Sequence, residues 1–258
     1  MANHETSHHD HTHGHERVHD FDEERARRYG QTARQTLPGY EDLHHMTSSL
    51  LGVELGEKAR VLVVGAGTGM ELLTLAEQHP QWRLTGVDPS AAMLTVARER
   101  LLERGWTERV RLHVGHVHEL PETERYDAAT CLLVIHHLSE AAEQRQLLLT
   151  IAQRLQRGAP LVVAEMIGDP ALPQFQRFLS AWKLWQHTFG APEEEVEQRA
   201  QALSSVVSFR SEEHLRDLLV TAGFGDMQRF FTAYFYGGWV ARLQWTQELD
   251  VRPFKEKF

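Results

Sequence analysis

Hydrophobic and polar positions along the chain follow two alternating periods, one typical of buried β-strands and one typical of amphipathic helices. Short apolar runs predict five strands, at residues 60–64, 83–87, 109–115, 127–134 and 161–164. Helical periods separate them: one covers 69–79, a second begins after Ser90 and ends at Gly105, and a third runs from Ser139 to about Arg157. Because strands and helices alternate, we predict an α/β fold that is doubly wound around a mostly parallel sheet.

The regions on either side of this alternation predict further elements. Two helical stretches, 21–34 and 40–52, precede it and are separated by a Pro-Gly turn. A helix at 211–222, capped by Ser211, follows it. Two aromatic stretches, 226–235 and 239–243, then predict a closing hairpin with Gly237 and Gly238 in its turn, which brings the sheet to seven strands.

These patterns divide the chain into six segments. They are a His-rich tail (1–20), an N-terminal helical cover (21–52), an α/β core (53–167), a helical insertion after the fifth strand (168–208), a closing helix and hairpin (209–247) and a second tail (248–258). The insertion carries an apolar stripe on one helix face, formed by Leu172, Phe175, Phe178, Leu179, Trp182, Trp185 and Phe189. We expect this stripe to pack on the core or on a second subunit, and the alternative is a lid over an apolar acceptor.

Composition excludes several classes of protein. The 258 residues carry a formal net charge of −9, which argues against a partner such as duplex nucleic acid. Cys131 is the only cysteine, so intramolecular disulfides and multi-thiolate zinc sites are excluded, and we expect it to be buried and inert. No apolar run approaches the roughly 18 residues of a spanning helix. We therefore expect a soluble, cytoplasmic protein with no membrane partner.

The first twenty residues differ from the rest of the chain. They hold seven of the 17 histidines, at positions 4, 8, 9, 11, 13, 15 and 19, and almost no large apolar side chains. Such a segment cannot bury enough surface to offset its ordering entropy, so we predict a disordered tail. Clustered imidazoles bind metals readily, but their irregular spacing defines no single geometry, and we assign no metal site.

A glycine-rich turn follows the first predicted strand. Gly65, Gly67 and Gly69 lie between that strand and a helix, and Asp88 ends the second strand. Glycine admits a ligand close to the main chain, and an acid at this strand end can accept the hydroxyl groups of an adenosine ribose. The third glycine comes one residue earlier than in the dinucleotide pattern, so the ligand we expect is an adenosine compound other than NAD. The alternative is that the glycines serve only a tight turn.

Four segments in this order resemble class I S-adenosylmethionine-dependent methyltransferases: residues 61–69, 86–94, 126–138 and 161–165. The flanking residues 21–23, 37–40, 222–224 and 234–241 are similar to carboxy-S-adenosylmethionine synthases of tRNA wobble-uridine modification and their uncharacterised relatives. The resemblance implies a Rossmann-like seven-stranded sheet and S-adenosylmethionine as cofactor.

The resemblance also implies roles for individual residues. Gly65, Ala66, Gly67 and Gly69 would surround the methionine part of the cofactor, and Asp88 would hold the ribose. Pro89, Met93, His116 and Val117 would border the adenine, the main-chain carbonyl of Leu132 would face the amine, and Tyr40 would belong to the N-terminal cover.

Three departures from the family pattern matter. Val63 stands two residues before the first glycine, where many class I members carry an acid, and His116 replaces an aspartate beside the adenine. In the synthases an arginine of the inserted helix binds the extra carboxylate, but the best register places Ala200 there, with Arg199 one residue away. A shift of one residue rotates a helical side chain by about 100°, so we favour plain methyl transfer over carboxy-S-adenosylmethionine synthesis.

Two side chains are candidates for a general base, His137 after the fourth strand and Glu165 at the end of the fifth. Both belong to the carboxyl edge of the sheet, where open α/β sheets bind ligands, and imidazole titrates near neutral pH. The alternatives are that His137 packs at a helix start and that Glu165 is a solvated carboxylate. For the neighbouring His136 we expect packing.

The function that we expect is methyl transfer from S-adenosylmethionine to a small-molecule acceptor by in-line displacement. One alternative is a carboxy-S-adenosylmethionine synthase that acts in tRNA modification. Another is a non-catalytic protein that binds S-adenosylmethionine or handles metal through its tail. A homodimer through the helical insertion is a further expectation.

Overall fold

The computed structural model describes residues 23–206 and 211–244, so the predicted tails 1–20 and 248–258 lie outside the described residues. The helices are α1 (Glu23–Thr36), α2 (Tyr40–Glu54), α3 (Met70–Gln78), α4 (Ala91–Glu103), α5 (Ala141–Arg154), α6 (Pro173–Thr188), α7 (Glu193–Val206) and α8 (Glu212–Thr221). The strands are β1 (Arg60–Val64), β2 (Arg83–Asp88), β3 (Val110–Val114), β4 (Ala128–Leu132), β5 (Pro160–Met166), β6 (Phe224–Ala233) and β7 (Tyr236–Leu243).

The strands form one sheet in the order β3-β2-β1-β4-β5-β7-β6. β1 to β5 are parallel, whereas β7 is antiparallel to β5 and β6 is antiparallel to β7. The strand order reverses between β1 and β4, so the carboxyl ends of these two strands border the crevice in which open α/β sheets bind ligands. The prediction of a doubly wound, mostly parallel seven-stranded α/β sheet is confirmed.

Helices cover both faces of the sheet and give it two apolar cores. On one face, Leu51 of α2, Leu72 of α3 and Leu101 of α4 pack with Val61 and Val63 of β1. On the other face, Leu148 of α5 and Leu218 of α8 pack with Leu62 and Val64. Because successive β1 residues point to opposite faces and both are buried, the strand is apolar without alternation, which is the pattern of a parallel strand covered on both sides.

The helix predicted from Ser139 to about Arg157 is shorter than expected. It begins at Ala141 and ends at Arg154. Leu155 leaves the helix because it forms a parallel bridge with Tyr126, whose main chain also exchanges hydrogen bonds with Arg154 and Gln156. The apolar pattern of the predicted helix continues past residue 154, but the contact between Leu155 and Tyr126 ends the helix.

The hairpin turn also differs from the prediction. Tyr234 and Phe235 form the turn, with Tyr234 at a φ of 54°, while Gly237 and Gly238 lie inside β7. A Cβ on Gly237 would lie 2.3 Å from the Trp239 ring, and one on Gly238 would lie 3.0 Å from the side chains of Phe230 and Phe231. The two glycines therefore make room for aromatic side chains and do not make the turn.

Candidate cofactor and acceptor site

The loop after β1 has the backbone of a ligand-binding turn. Gly65, Gly67 and Gly69 have φ values of 70°, 50° and 82°, a region that residues with a Cβ rarely adopt. The N–H groups of Gly65 and Ala66 donate to the carbonyl oxygen of Val87 at 2.8 and 3.0 Å, which joins the loop to the end of β2. The chain then enters α3 directly, because Gly69 is the residue that precedes its first turn.

The three glycines have different neighbours. A Cβ on Gly65 would lie 2.3 Å from the Val134 side chain, and one on Gly69 would lie 2.9 Å from Ala97 of α4. Around Gly67, in contrast, the nearest atom to such a Cβ would be the Gly65 carbonyl oxygen at 3.9 Å. Gly65 and Gly69 thus serve close packing, while Gly67 borders open space in which a ligand can approach the main chain.

Asp88 closes the loop from the neighbouring strand. Its Oδ2 accepts from the N–H of Gly67 and its Oδ1 accepts from the N–H of Ser90, both at 2.8 Å. Burial raises the pKa of the Asp88 carboxyl, while these two hydrogen bonds and nearby His116 lower it. Each carboxylate oxygen can accept a second hydrogen bond, so both remain able to bind the two hydroxyl groups of a ribose.

The residues expected beside the adenine lie around Asp88. Pro89 is exposed, and Met93 is buried in a small cluster with Ala26 of α1 and Val96. His116 is exposed, follows β3 and lies near enough to Asp88 to lower its pKa, while Val117 is buried. The structure therefore brings these side chains to one end of β2 and β3, and their contact with adenine stays a prediction.

The N-terminal helices α1 and α2 lie over the same edge of the sheet as Asp88. Tyr40 begins α2 and is buried, and burial is the main reason that its pKa is raised. Tyr29 of α1, which the sequence analysis did not single out, interacts electrostatically with Asp88, Tyr40 and Tyr236. Helical periodicity alone could not select Tyr29, because its position depends on how α1 packs on α4 and α6.

The two side chains predicted as candidates for a general base, His137 and Glu165, are arranged differently from the expectation. Glu165, near the end of β5, is buried and its Oε1 lies 2.7 Å from Nδ1 of His136. His137 is exposed, and its ring centroid lies 4.2 Å from that of His136. The structure thus pairs Glu165 with His136, the histidine for which packing was expected.

A sharp turn explains this selection. Leu133 follows β4 with a φ of 60°, and residues Ile135–His137 form a short 3₁₀ helix. Consecutive side chains on such a helix point in directions about 120° apart, so only one of two adjacent histidines can face β5. The sequence contains no signal that distinguishes them.

Cys131 lies inside β4 and is fully buried. Burial raises the pKa of its thiol well above the usual value, and the carboxyl groups of Glu165 and Glu71 raise it further. A thiol kept protonated in this way is a poor nucleophile.

The inserted helices place no guanidinium at position 200. Ala200 is buried in the core cluster, whereas Arg199 turns toward α1 and α6. Its Nη1 donates to Gln35 Oε1 at 3.2 Å and to Gln186 Oε1 at 3.0 Å, and its Nη2 donates to Glu195 at 2.7 Å. Arg199 therefore joins three helices to one another.

Comparison with known proteins agrees with this geometry. Residues 62–161, from β1 into β5, match the family model described as a methyltransferase domain. The chain carries a methyltransferase domain. A carboxy-S-adenosyl-L-methionine synthase from Campylobacter fetus subsp. fetus is 23% identical over 212 residues, which cover 82% of this chain and 89% of that protein.

Two further comparisons extend the likeness. A 3-hydroxy-5-methyl-1-naphthoate 3-O-methyltransferase from Streptomyces sahachiroi is 29% identical over 118 residues, 45% of this chain and 33% of that protein. A solved S-adenosylmethionine-dependent methyltransferase from Clostridium acetobutylicum superposes with a TM-score of 0.60 at 12% identity and covers 85% of this chain and 97% of that one. The resemblance to class I methyltransferases is confirmed, and with it an enzyme that uses S-adenosylmethionine.

The site of this methyltransferase fits its cofactor. Gly67 borders open space beside the turn, and the Asp88 carboxylate retains acceptor capacity. The buried Glu71 carboxyl, directly after the turn, has an oxygen without a hydrogen-bond partner among the described residues. S-adenosylmethionine offers a ribose for the acid and positive charges for a buried carboxylate. The residues present thus match the chemistry of the cofactor, and the contact of each with it stays a prediction.

Neither a metal cluster nor a spanning segment occurs within residues 23–206 and 211–244. No group of three or more His, Cys, Asp or Glu side chains there is arranged to hold a metal ion. No helix in the same part of the chain is long and apolar enough to cross a membrane.

Proposed function

We propose that the protein transfers the methyl group of S-adenosylmethionine to a hydroxyl group of a small-molecule acceptor, with His136 as the general base. The observation that carries the proposal is the buried hydrogen bond between His136 Nδ1 and Glu165 Oε1 at the carboxyl edge of the sheet. The partial match to a naphthoate O-methyltransferase supports a hydroxyl acceptor on an aromatic ring.

The hydrogen bond assigns a tautomer to His136. A carboxylate accepts a hydrogen bond from the N–H at Nδ1, which leaves Nε2 with its lone pair and able to accept a proton from another group. Glu165 also stabilises the imidazolium that forms, because the two side chains are buried together, with 7% and 6% of their side-chain surfaces exposed. His136 thus has the carboxylate partner that orients a base.

Bound S-adenosylmethionine supplies a methyl group on a positively charged sulfur that leaves as a neutral thioether. The acceptor oxygen forms the new bond to the methyl carbon, and its proton passes to Nε2 of His136. Asp88 and the glycine turn would hold the nucleoside, and α1 and α2 would keep water away from it. No metal and no covalent intermediate is required.

The experiment measures release of S-adenosylhomocysteine with a panel of small aromatic hydroxy compounds. His136→Asn keeps an N–H donor for Glu165 but cannot take up a proton, so we expect kcat to fall about 10²- to 10⁴-fold with an unchanged Kd for S-adenosylmethionine. His137→Asn is the matched control and should retain activity. If His137→Asn lost activity while His136→Asn kept full activity, the general base would be His137.

Carboxy-S-adenosylmethionine synthesis is the second candidate, favoured by the 23% identical synthase. Against it stand the buried Ala200 and the use of Arg199 by Gln35, Gln186 and Glu195, which leave no guanidinium for an extra carboxylate in the register that the resemblance gives. Mass spectrometry of the nucleotide bound to the purified protein separates the two. We expect S-adenosylmethionine or S-adenosylhomocysteine, and a carboxylated cofactor would overturn the preference.

The other partners follow from the same proposal. The proposed acceptor is a small molecule, and the net charge of −9 argues against a nucleic-acid substrate. The cytoplasmic location stays a prediction.

A further inference from the structure

One buried acid, Glu71, takes no part in the proposed methyl-transfer step. Glu71 is the second residue of α3, directly after the glycine turn, and it is 5% exposed. Its Oε1 has no hydrogen-bond partner among the described residues. A buried carboxyl oxygen without a partner is costly, so its presence points to a ligand that supplies the missing interaction.

The register of the sheet locates this carboxyl. Val63 of β1 pairs with Thr130 of β4, and both belong to the face that α2 and α3 cover. The Thr130 hydroxyl is close enough to lower the pKa of Glu71, yet it too is completely buried and has no hydrogen bond of normal geometry. The Glu71 carboxyl therefore lies over β1 and β4, beneath the crevice between their carboxyl ends.

In the arrangement that the resemblance implies, this position would adjoin the amino-acid part of the cofactor. Leu132 is two residues beyond Thr130 on β4 and faces the same core cluster. The family resemblance places the cofactor amine against the main-chain carbonyl of Leu132. β1 offers no acid there, since position 63 is an apolar valine with no exposed surface.

Among the described residues, no cationic side chain contributes to the pKa shift of Glu71. The elements packed against α3 and β4 carry several titratable groups, among them His44 of α2, Arg100 of α4, Asp88 of β2 and Glu165 of β5, and Glu71 raises the pKa of Cys131 in β4. Burial lowers the pKa of His44 to about 4, so it is neutral near pH 7. Arg100 is bound to the carbonyl and hydroxyl oxygens of Thr68 at 3.0 and 3.2 Å.

We propose that Glu71 is the counter-charge for the α-ammonium group of S-adenosylmethionine. The proposal rests on S-adenosylmethionine as the cofactor and does not depend on the base or the acceptor. In this proposal the acid belongs to the first turn of α3 and not to β1. The partly positive N-terminus of the helix also favours a carboxylate there.

The assignment couples cofactor binding to proton release. Burial raises the pKa of Glu71 to about 7, so the free protein carries this carboxyl largely protonated at pH 6.5. A cation beside the carboxyl favours its ionised form, so the pKa falls on binding and a proton leaves. Above about pH 8 the carboxyl is already ionised and no proton is released.

The test uses calorimetric titration at pH 6.5 in two buffers of different ionisation enthalpy, with three ligands. S-adenosylmethionine and S-adenosylhomocysteine carry the ammonium group, and 5′-methylthioadenosine lacks it. We expect the first two to release protons from the wild-type protein and the third to release none. In Glu71→Gln we expect no release, at least tenfold weaker binding of the first two ligands and unchanged binding of methylthioadenosine.

The matched control is Glu77→Gln, which changes an exposed acid on the same helix and should leave all three affinities and the proton release unchanged. Equal weakening of all three ligands by Glu71→Gln would overturn the proposal, because it would indicate a structural role. Weakening of S-adenosylmethionine alone would overturn it in favour of the sulfonium group. A wild-type protein that binds none of the three would overturn both this proposal and the cofactor.

Discussion

Single residues in this protein acquire their chemistry from what surrounds them. His136 and His137 are adjacent and identical in type, yet only His136 reaches Glu165, at 2.7 Å. Glu71 and Glu77 stand on one helix, but burial raises the pKa of Glu71 to about 7 while Glu77 is exposed. Residue type alone therefore names candidates, and the environment selects among them.

Asp88 gives the clearest test at this scale. Asp88→Ala removes the acceptor for the ribose hydroxyls and leaves the Gly67 and Ser90 N–H groups without their partner. We expect binding of S-adenosylmethionine to weaken by about 1.5–3 kcal/mol, the range for hydrogen bonds to a charged group. Calorimetry measures the affinity, and thermal unfolding reports the structural part of the change. An unaltered Kd would contradict the ribose assignment.

The glycine turn and the acid were accessible from sequence because their signal is local. Positive φ at three positions requires glycine, and the strand end places Asp88 beside them. Glu71 left only a weak signal, an acid on the buried face of an apolar helix. The choice between His136 and His137 left none, because it depends on a turn whose geometry the sequence pattern does not contain.

At the scale of elements, periodicity identified strands and helices but not all of their ends. β1 begins and ends where its apolar run does, and Ser90 and Ser211 cap α4 and α8 with hydrogen bonds to Met93 and His214. α5 ends early because Leu155 bridges to Tyr126, a partner distant in sequence. Ends set by local side chains were predictable, and ends set by distant contacts were not.

The position of the hairpin turn was likewise not predictable from the local sequence. Adjacent glycines are typical of a turn, but here Gly237 lies in β7 opposite Glu165 of β5. A side chain at 237 would collide with the Trp239 ring, which is buried against the core. The glycines leave room for the aromatic side chains, and Tyr234 is the residue of the turn that has a positive φ.

At the scale of the whole molecule, the apolar stripe of the inserted helices serves two environments. Phe175 and Trp182 are buried, and the Trp182 indole N–H donates to the Thr36 carbonyl oxygen. The stripe residues Leu172, Phe178 and Phe189 are between 41% and 50% exposed, and Leu184, which belongs to α6 but not to the stripe, is 68% exposed. The stripe therefore packs on the core in part, and the homodimer through the rest of this surface stays a prediction.

Analytical ultracentrifugation tests the dimer. We expect a species of twice 29.6 kDa for the wild-type protein and a monomer for Leu184→Glu, because a buried, unpaired carboxylate at an apolar interface is strongly unfavourable. Val220→Glu is the control, since Val220 is 61% exposed on α8 and should not affect association. A monomeric wild-type protein at micromolar concentration would contradict the prediction.

The sequence by itself determined the order of strands and helices, the seven-stranded sheet, the glycine turn, Asp88 and the cofactor, since each depends on local periodicity, on backbone angles or on a recognisable motif. Tertiary structure alone decided which histidine contacts Glu165 and which partners bind the Arg199 guanidinium. It also decided where α5 ends and why the packing at position 237 requires glycine. These outcomes depend on contacts between residues distant in sequence, and burial changes the chemistry of the side chains involved. A linear pattern records the type of each residue, whereas its neighbours in space exist only after folding.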